Sequence, residues 1–299
     1  MPNAPVAFFA YKRPNHALKT LESLSRCALA EDTALYIFSD GPKTGKDEEG
    51  VKEVRRVLKS RRWCKEVHIK EAGENMGLAN SLIAGITEVS SLRGKVIVVE
   101  DDLVLSTQFL NYMNDALTVY GDEEKVMQVS GFMYRLKGSA PETFFLPFPN
   151  CWGWATWERA WSFFIKDTGL LIERVKEKGV DAFTANQRLG SFQMLLDQHE
   201  GKLDSWAVRW YASIFLNEGL VLYPKRSLVE NIGFDGSGVH CTNETVSFEL
   251  AHGRIAVKRL KAAVNGQMMK KVLDAKNPAP GGLSRVMGAL GSVFRKKNP

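Results

Sequence analysis

Short apolar runs and amphipathic segments alternate along the first hundred residues of the chain. The apolar runs predict strands over residues 6–10, 35–38, 67–69 and 96–99. The segments between them predict three helices: one with Leu18, Leu21 and Leu24 on one face and Asn15 as its N-cap, one over residues 47–60, and one through residues 78–86. Strands and helices that alternate at this spacing predict an α/β fold with right-handed crossovers and a mostly parallel central sheet flanked by helices.

The pattern is less regular in the remainder of the chain. Apolar runs predict further strands over residues 126–129 and 220–223, with another apolar run at 144–148. Helical spacing predicts helices over residues 203–217 and 255–273. Residues 231–241, NIGFDGSGVHC, are rich in glycine and have no predicted regular structure, so this loop is a candidate lid over a site.

The segment KVIVVEDD, residues 95–102, joins a buried-strand pattern to three consecutive acids, Glu100, Asp101 and Asp102. Open α/β sheets bind ligands at the carboxyl ends of their strands, which is where these acids stand. Adjacent carboxylates repel each other unless a cation neutralises them, and Mg²⁺ and Mn²⁺ prefer such oxygen ligands together with substrate phosphates. The acids therefore predict a metal–phosphate site. The alternative is a solvated acidic loop; a cap for the next helix is already offered by Ser106.

A tryptophan-rich segment, CWGWATWERAW, covers residues 151–161 and holds four of the seven tryptophans. Gly153 lies between Trp152 and Trp154, so a bare backbone stands beside flat aromatic rings that suit the face of a sugar. Tryptophan clusters also form protein cores, and the sequence favours neither reading over the other.

The length and composition of the chain limit its possible domain organisation and cellular location. The chain has 299 residues, of which 44% are hydrophobic, enough for one large α/β domain or two joined lobes. We predict a ligand-binding half over residues 1–102, a second half over 103–253 and a tail over 254–299.

The four cysteines, Cys27, Cys64, Cys151 and Cys241, are scattered without a C-x-x-C pair and predict reduced thiols. Neither a transmembrane run nor a signal-peptide layout is visible, which predicts a cytoplasmic protein.

Charge is unevenly distributed. The net charge is +6, but residues 254–299 carry eleven lysines and arginines and one acid, which leaves residues 1–253 with a net charge of −4. A mildly acidic body argues against a nucleic-acid enzyme. Residues 283–297 form a basic amphipathic pattern after a proline- and glycine-rich linker, which predicts an anchor on an anionic membrane surface; a polyanionic partner would also suit the basic tail. A frayed or domain-packed tail is the alternative.

Taken together, these motifs resemble GT-A type glycosyltransferases over roughly residues 5–241, in the usual order of parts. The similarity is to bacterial polysaccharide sugar transferases and, more distantly, to the N-acetylglucosaminyltransferase I family. The residues that carry it are Arg13-Pro14 after the first strand, Ser39-Asp40-Gly41 after the second, the turn Asn75-Met76-Gly77, and the metal motif Glu100-Asp101-Asp102. The resemblance implies the Rossmann-like GT-A fold.

The resemblance also implies a role for each motif residue. Asp40 contacts the nucleoside, Arg13 lies near the phosphates, and Asn75 and Gly77 line the same pocket. Glu100 and Asp101 belong to the nucleotide-sugar site, with Asp101 on the ribose or donor sugar. Asp102 ligates Mn²⁺ or Mg²⁺, which bridges the diphosphate of a UDP- or TDP-sugar, and His240 is a second contact to the metal or the diphosphate.

An inverting transferase needs a carboxylate that takes the proton from the acceptor hydroxyl. Asp204, at the start of the helix predicted over residues 203–217, is the first candidate, although some relatives carry an acid directly after Trp206, where this chain has Ala207. Asp204 is equally a reasonable N-cap for that helix. Asp235, in the glycine-rich loop, is the second candidate.

The resulting hypothesis is a metal-dependent transferase of the hexosyltransferase type. It moves a sugar from a UDP- or TDP-sugar to a glycan or lipid-linked acceptor in surface polysaccharide synthesis, at the cytoplasmic face of the inner membrane. One alternative is a sugar-nucleotide nucleotidyltransferase, but such enzymes carry a glycine-rich loop where this chain has Tyr11-Lys12-Arg13-Pro14. Another is a non-catalytic, membrane-associated protein that binds a nucleotide sugar.

Overall fold

A computed structural model describes residues 2–236 and 250–276 of the chain. The predictions for His240, Cys241, the tail beyond residue 276 and the membrane anchor over 283–297 lie outside the described residues. The division into residues 1–102, 103–253 and 254–299 stays a prediction, as does the cytoplasmic location. Within the described ranges, no helix is both long enough and apolar enough to cross a membrane.

The four strands predicted in the first hundred residues form one side of a single sheet. The elements in chain order are β1 (Val6–Ala10), α1 (Pro14–Ser25), β2 (Ala34–Ser39), α2 (Glu48–Lys59), β3 (Glu66–Glu71), α3 (Leu78–Arg93) and β4 (Lys95–Glu100). These strands are parallel and lie side by side in the order β3-β2-β1-β4. Every residue of β1 is buried, which is why this strand reads as one continuous apolar run.

The sheet continues through strands from the second part of the chain. The next elements are β5 (Leu103–Leu105), α4 (Phe109–Val119), β6 (Val126–Ser130), β7 (Thr143–Leu146), β8 (Trp154–Trp157), α5 (Glu158–Trp161), α6 (Thr168–Lys178), α7 (Val180–Phe183), α8 (Ser191–His199), α9 (Trp206–Leu216), β9 (Leu220–Pro224), β10 (Val229–Asn231) and α10 (Gly266–Lys276). The order after β4 is β8-β6-β9-β7, giving eight strands in all. Because β7 and β8 run against the others, the sheet is mixed but mostly parallel, and the predicted α/β fold is confirmed.

The predicted helix over residues 255–273 is wrong in its first half, because α10 begins only at Gly266. The preceding backbone finds its partners elsewhere in the protein. The Leu260 N–H donates to the Tyr120 hydroxyl at 3.0 Å, and that hydroxyl donates to the Lys258 carbonyl at 3.0 Å. Leu260 and Val264 are exposed, so the apolar spacing that suggested a helix does not mark a buried face.

Two smaller predictions, on the cap of α1 and on the start of the glycine-rich loop, need correction, and the prediction of free cysteines is confirmed for the described ones. Asn15 does not cap α1, because Pro14 already occupies the first helical turn after Arg13. The loop predicted from residue 231 begins one residue later, since Asn231 ends strand β10, which pairs with β5. Among the described cysteines, Cys27, Cys64 and Cys151 are free, as predicted.

Candidate active site

The predicted site residues meet because three parallel strands end at the same edge of the sheet. Ala10 of β1 lies opposite Ser39 of β2, and Phe9 lies opposite Glu100 of β4. The segments that follow these strands, which hold Arg13, Asp40 and the two aspartates after Glu100, therefore emerge side by side. The sequence pattern alone was sufficient to predict this convergence.

Arg13 joins the two aspartates of the acidic motif. Its Nη2 lies 2.5 Å from Asp101 Oδ1 and 2.8 Å from Asp102 Oδ2. Asp101 also accepts the Tyr11 backbone N–H at 3.4 Å and is 5% exposed. Burial lowers the pKa of the Arg13 guanidinium, but the two carboxylates raise this pKa by more than burial lowers it, so the net change is upward. The cation that the acid pair requires is thus supplied by the protein itself.

Glu100, the first acid of the motif, behaves differently. Burial, followed by the negative charges of Asp102 and Asp101, raises its pKa to about 8. Within the described residues, its carboxyl group forms no hydrogen bond or ion pair. Glu100 is also close enough to Cys151 to add to the effect of burial in raising the pKa of that thiol. The three acids are therefore not equivalent: two face Arg13, whereas burial and the neighbouring carboxylates raise the pKa of Glu100.

The residues at this edge suit a metal site with one protein carboxylate and not a site built from protein ligands alone. Residues 2–236 and 250–276 contain no cluster of three or more histidine, cysteine, aspartate or glutamate side chains that could hold a metal. Asp102 directs Oδ2 at Arg13, whereas Oδ1 receives no hydrogen bond from any described residue. Such a donor set fits Mg²⁺ or Mn²⁺ that takes one protein carboxylate and completes its shell with phosphate oxygens and water. It does not fit an all-protein cage.

Asp40 organises the turn that precedes α3. One carboxylate oxygen accepts the backbone N–H groups of Gly41 at 2.9 Å and Met76 at 2.8 Å. The other accepts the Asn75 side-chain amide at 3.1 Å and the Gly77 N–H at 3.0 Å. Gly77 has φ +78°, a left-handed conformation that suits glycine. Asp40 thus has a structural role that the sequence did not predict, and a direct contact to a nucleoside stays a prediction.

We expect Asp40→Ala to lower the free energy of unfolding by about 2–4 kcal/mol, since it leaves several N–H groups without their acceptor. Urea unfolding measures this change, and Asp32→Ala, at an exposed acid, is the matched control. Equal stability of the Asp40 variant and the wild type would contradict the structural role.

Asp204 lies beside the same turn. A Cβ built on Gly77 would be 3.9 Å from Asp204 Oδ2. The interpretation of Asp204 as an N-cap is wrong, because Ser205 occupies that position and its hydroxyl accepts the Val208 N–H at 3.3 Å. The Asp204 side chain is 55% exposed and lies 3.6 Å from Nη2 of the buried Arg209. Its carboxylate is consequently not needed to cap α9 and is open to solvent next to the Asn75-Met76-Gly77 turn.

The start of the predicted lid, residues 232–236, lies directly on the acidic motif. The Ile232 N–H donates to the Asp102 carbonyl at 2.8 Å, and a Cβ at Gly233 would overlap Asp102 Oδ2. Asp235 Oδ2 lies 3.2 Å from His16 Nε2 on α1. Both candidate bases, Asp204 and Asp235, are therefore at the edge that holds Arg13 and the acids.

The prediction that Gly153 and Trp154 line a sugar site is wrong. Trp154 is completely buried and stacks on Trp206 with ring centroids 5.4 Å apart. Gly153 is also buried, and a Cβ on it would lie 2.9 Å from Val229 Cγ1. Both residues belong to the core, because β8 carries the tryptophan segment into the middle of the sheet. Trp152 is only partly buried and packs edge-on against Phe234 of the 232–236 segment at 5.6 Å.

Several residues of the site were missed from sequence. His16 follows Arg13 by one helical turn, so the shared face of α1 was a usable signal. Gly233 is part of the glycine-rich segment, but its contact with Asp102 has no sequence signature. Arg209 is 5% exposed and donates through Nε to the Ser205 carbonyl at 3.1 Å; a buried arginine inside an apolar helix is not predictable from spacing.

Comparisons with known proteins give a distant likeness. No protein-family model and no curated protein sequence matches the chain significantly. Among solved structures, the chain is similar to GalNAc-T7 crystallised with UDP, GalNAc and Mn²⁺, with 9% identity and a TM-score of 0.44 over 74% of this chain and 42% of that one. It is also similar to mouse xyloside xylosyltransferase 1 in its apo form, with 13% identity and a TM-score of 0.36 over 72% of this chain and 82% of that one. The chain thus spans under half of the GalNAc-T7 chain, and both TM-scores are too low to decide a function.

Proposed function

We propose that this protein is a metal-dependent, inverting glycosyltransferase that uses a UDP- or TDP-sugar and a hydroxyl of a glycan or lipid-linked acceptor. The observation that carries the proposal is the position of Arg13 and the Asp101–Asp102 pair at the carboxyl edge of β1, β2 and β4. The exposed carboxylate of Asp204 lies beside the Gly77 turn, which Asp40 holds at the same edge. The motif order that resembles GT-A transferases supports the same reading.

Arg13 and the Asn75-Met76-Gly77 turn would form the donor half of the site. A partly buried guanidinium at this edge of the sheet is well suited to diphosphate oxygens, which a guanidinium can bind through two parallel hydrogen bonds. The turn is fixed by Asp40 and presents a glycine backbone at Gly77, which leaves room for a flat ligand to approach closely. These residues would bind and orient the donor rather than react with it.

Asp102 would hold the divalent cation, with His240 proposed as a further contact. When bound, the metal supplies Lewis-acid stabilisation of the charge on the departing nucleoside diphosphate. Asp204 would take the proton from the acceptor hydroxyl, because its carboxylate is exposed and adjacent to Gly77. Asp235 is the alternative base, on the α1 side of the site.

The test is calorimetric titration of UDP and TDP with Mn²⁺ and with EDTA, followed by assay of donor consumption and product formation. We expect metal-dependent binding with a dissociation constant between about 1 μM and 1 mM, as for ordinary enzyme substrates. UMP is the control ligand, since it lacks the second phosphate and is expected to bind more weakly. Absence of binding under every condition would exclude the proposed function, and binding without product would favour a non-catalytic protein.

A further inference from the structure

We propose that Arg13 is an internal counter-ion that makes metal binding depend on the nucleotide diphosphate. In the free protein it occupies the cation position of the acid pair and keeps a divalent metal away from Asp102. A diphosphate draws the guanidinium off the carboxylates and thereby opens Asp102 to the metal. The choice of a diphosphate as the releasing ligand rests on the proposed function, whereas the competition between Arg13 and metal does not.

The first argument is the convergence of two carboxylates on one nitrogen. Oxygens of Asp101 and Asp102 both lie within hydrogen-bond distance of Arg13 Nη2, at 2.5 and 2.8 Å. Adjacent residues of an extended strand would direct their side chains to opposite faces, so this convergence depends on the turn that follows β4. The point at which the two acids could share a cation is therefore already taken.

The second argument is burial. The side chains of Arg13, Asp101 and Asp102 are 19%, 7% and 18% exposed, so water screens their charges only weakly. A divalent cation that approached Asp102 would meet the positive guanidinium at short range and would be repelled. Removing the guanidinium without a replacement would strand two partly buried carboxylates, which is strongly unfavourable. The guanidinium can therefore leave the carboxylates only when a metal replaces it there and another anion binds the guanidinium.

The third argument is that the exchange gives Arg13 and Asp102 new charged partners and leaves Asp101 with a hydrogen bond. Phosphate oxygens accept the planar fork of arginine as readily as carboxylates do. Asp101 keeps the Tyr11 backbone N–H at 3.4 Å after Arg13 has turned away. Asp102 gains the metal. Each ligand thus favours the binding of the other, and by thermodynamic linkage the two affinities rise by the same factor.

The experiment measures Mn²⁺ binding without nucleotide, using the electron paramagnetic resonance signal of free Mn²⁺. We expect Arg13→Gln to bind Mn²⁺ about 5- to 150-fold more tightly than the wild type, the usual range of a coupling between sites. The gain should disappear in the double variant Arg13→Gln/Asp102→Asn. Lys12→Gln is the matched control, because it removes a neighbouring positive charge that pairs instead with Asp47 at 2.5 Å.

Unchanged Mn²⁺ affinity in folded Arg13→Gln would overturn the inference, as would an equal gain in Lys12→Gln. If Arg13→Gln does not fold, as judged by circular dichroism, Arg13→Met replaces it. Methionine keeps an apolar stem but has no positive charge, so the same gain in Mn²⁺ affinity is expected and no gain overturns the inference. Failure of the proposed function looks different: UDP and TDP would not bind, yet the nucleotide-free gain in Arg13→Gln would persist.

Discussion

Replacement of Asp102 by asparagine is expected to lower sugar transfer about a thousand-fold, because the Lewis-acid contribution of a bound metal is worth several kcal/mol. Asp102 is the acid of the motif whose Oδ1 receives no hydrogen bond from the described residues, while its Oδ2 contacts Arg13. Asparagine keeps an oxygen for that contact but loses the negative charge that a hard cation needs. The measurement is kcat/KM for the donor at saturating Mn²⁺, once a donor has been identified.

The control is Asp122→Asn, an exposed acid that pairs with Arg259 at 2.8 Å, far along the sequence from the motif. The Asp122 variant should match the wild type in activity and in melting temperature, because its carboxylate is exposed. Wild-type turnover in Asp102→Asn would mean that this acid serves Arg13 alone. The acidic motif would then be an internal ion pair and not a metal site.

The fold was largely predictable because buried parallel strands leave a strong signal. β1, β2 and β4 are continuous apolar runs, and the helices between them fix the parallel direction. β8 left no comparable signal. Its tryptophans fit a core, a binding surface or a strand, and the decision depends on antiparallel pairing with β4 and β6, which are distant in sequence.

The residues before α10 show a different limit of sequence patterns. Val257, Leu260 and Val264 are spaced as on a helix, yet this stretch is not helical. Its backbone bonds instead to the Tyr120 hydroxyl, and Asn265 donates to the Phe145 carbonyl at 2.9 Å. Periodicity reports which side chains are apolar, but it contains nothing about hydrogen-bond partners that the rest of the chain offers.

For the candidate site, the sequence predicted which segments meet but not what their side chains do there. Strand ends bring Arg13, Asp40 and Asp102 to one edge whatever their rotamers. Whether Asp40 is free or holds a turn, and whether Arg13 faces phosphate or carboxylate, depends on atomic positions to within about half an ångström, the width of the hydrogen-bond range. The assignment of the α9 cap to Asp204 failed by a single residue for the same reason.

Replacement of Asp204 by asparagine is expected to lower kcat by about 10²- to 10⁴-fold, the usual contribution of a general base. Nucleotide affinity should stay unchanged, because the carboxylate is proposed to act on the acceptor and not on the donor. Stability should also be close to that of the wild type, since the side chain is 55% exposed and asparagine keeps an oxygen near Arg209. Ser205→Ala is the structural control: loss of the true cap should cost about 1 kcal/mol without a comparable loss of kcat.

Asp235→Asn separates the two candidate bases, because Asp235 lies on the opposite flank of the acids, beside His16. If Asp204 is the base, the Asp235 variant should retain a much larger share of kcat than the Asp204 variant. The reverse result would move the base to the lid segment and, with it, the acceptor to the α1 side of the site. If neither variant loses more than about tenfold in kcat, well below the range expected for a general base, inversion by a protein carboxylate would be excluded for these two positions.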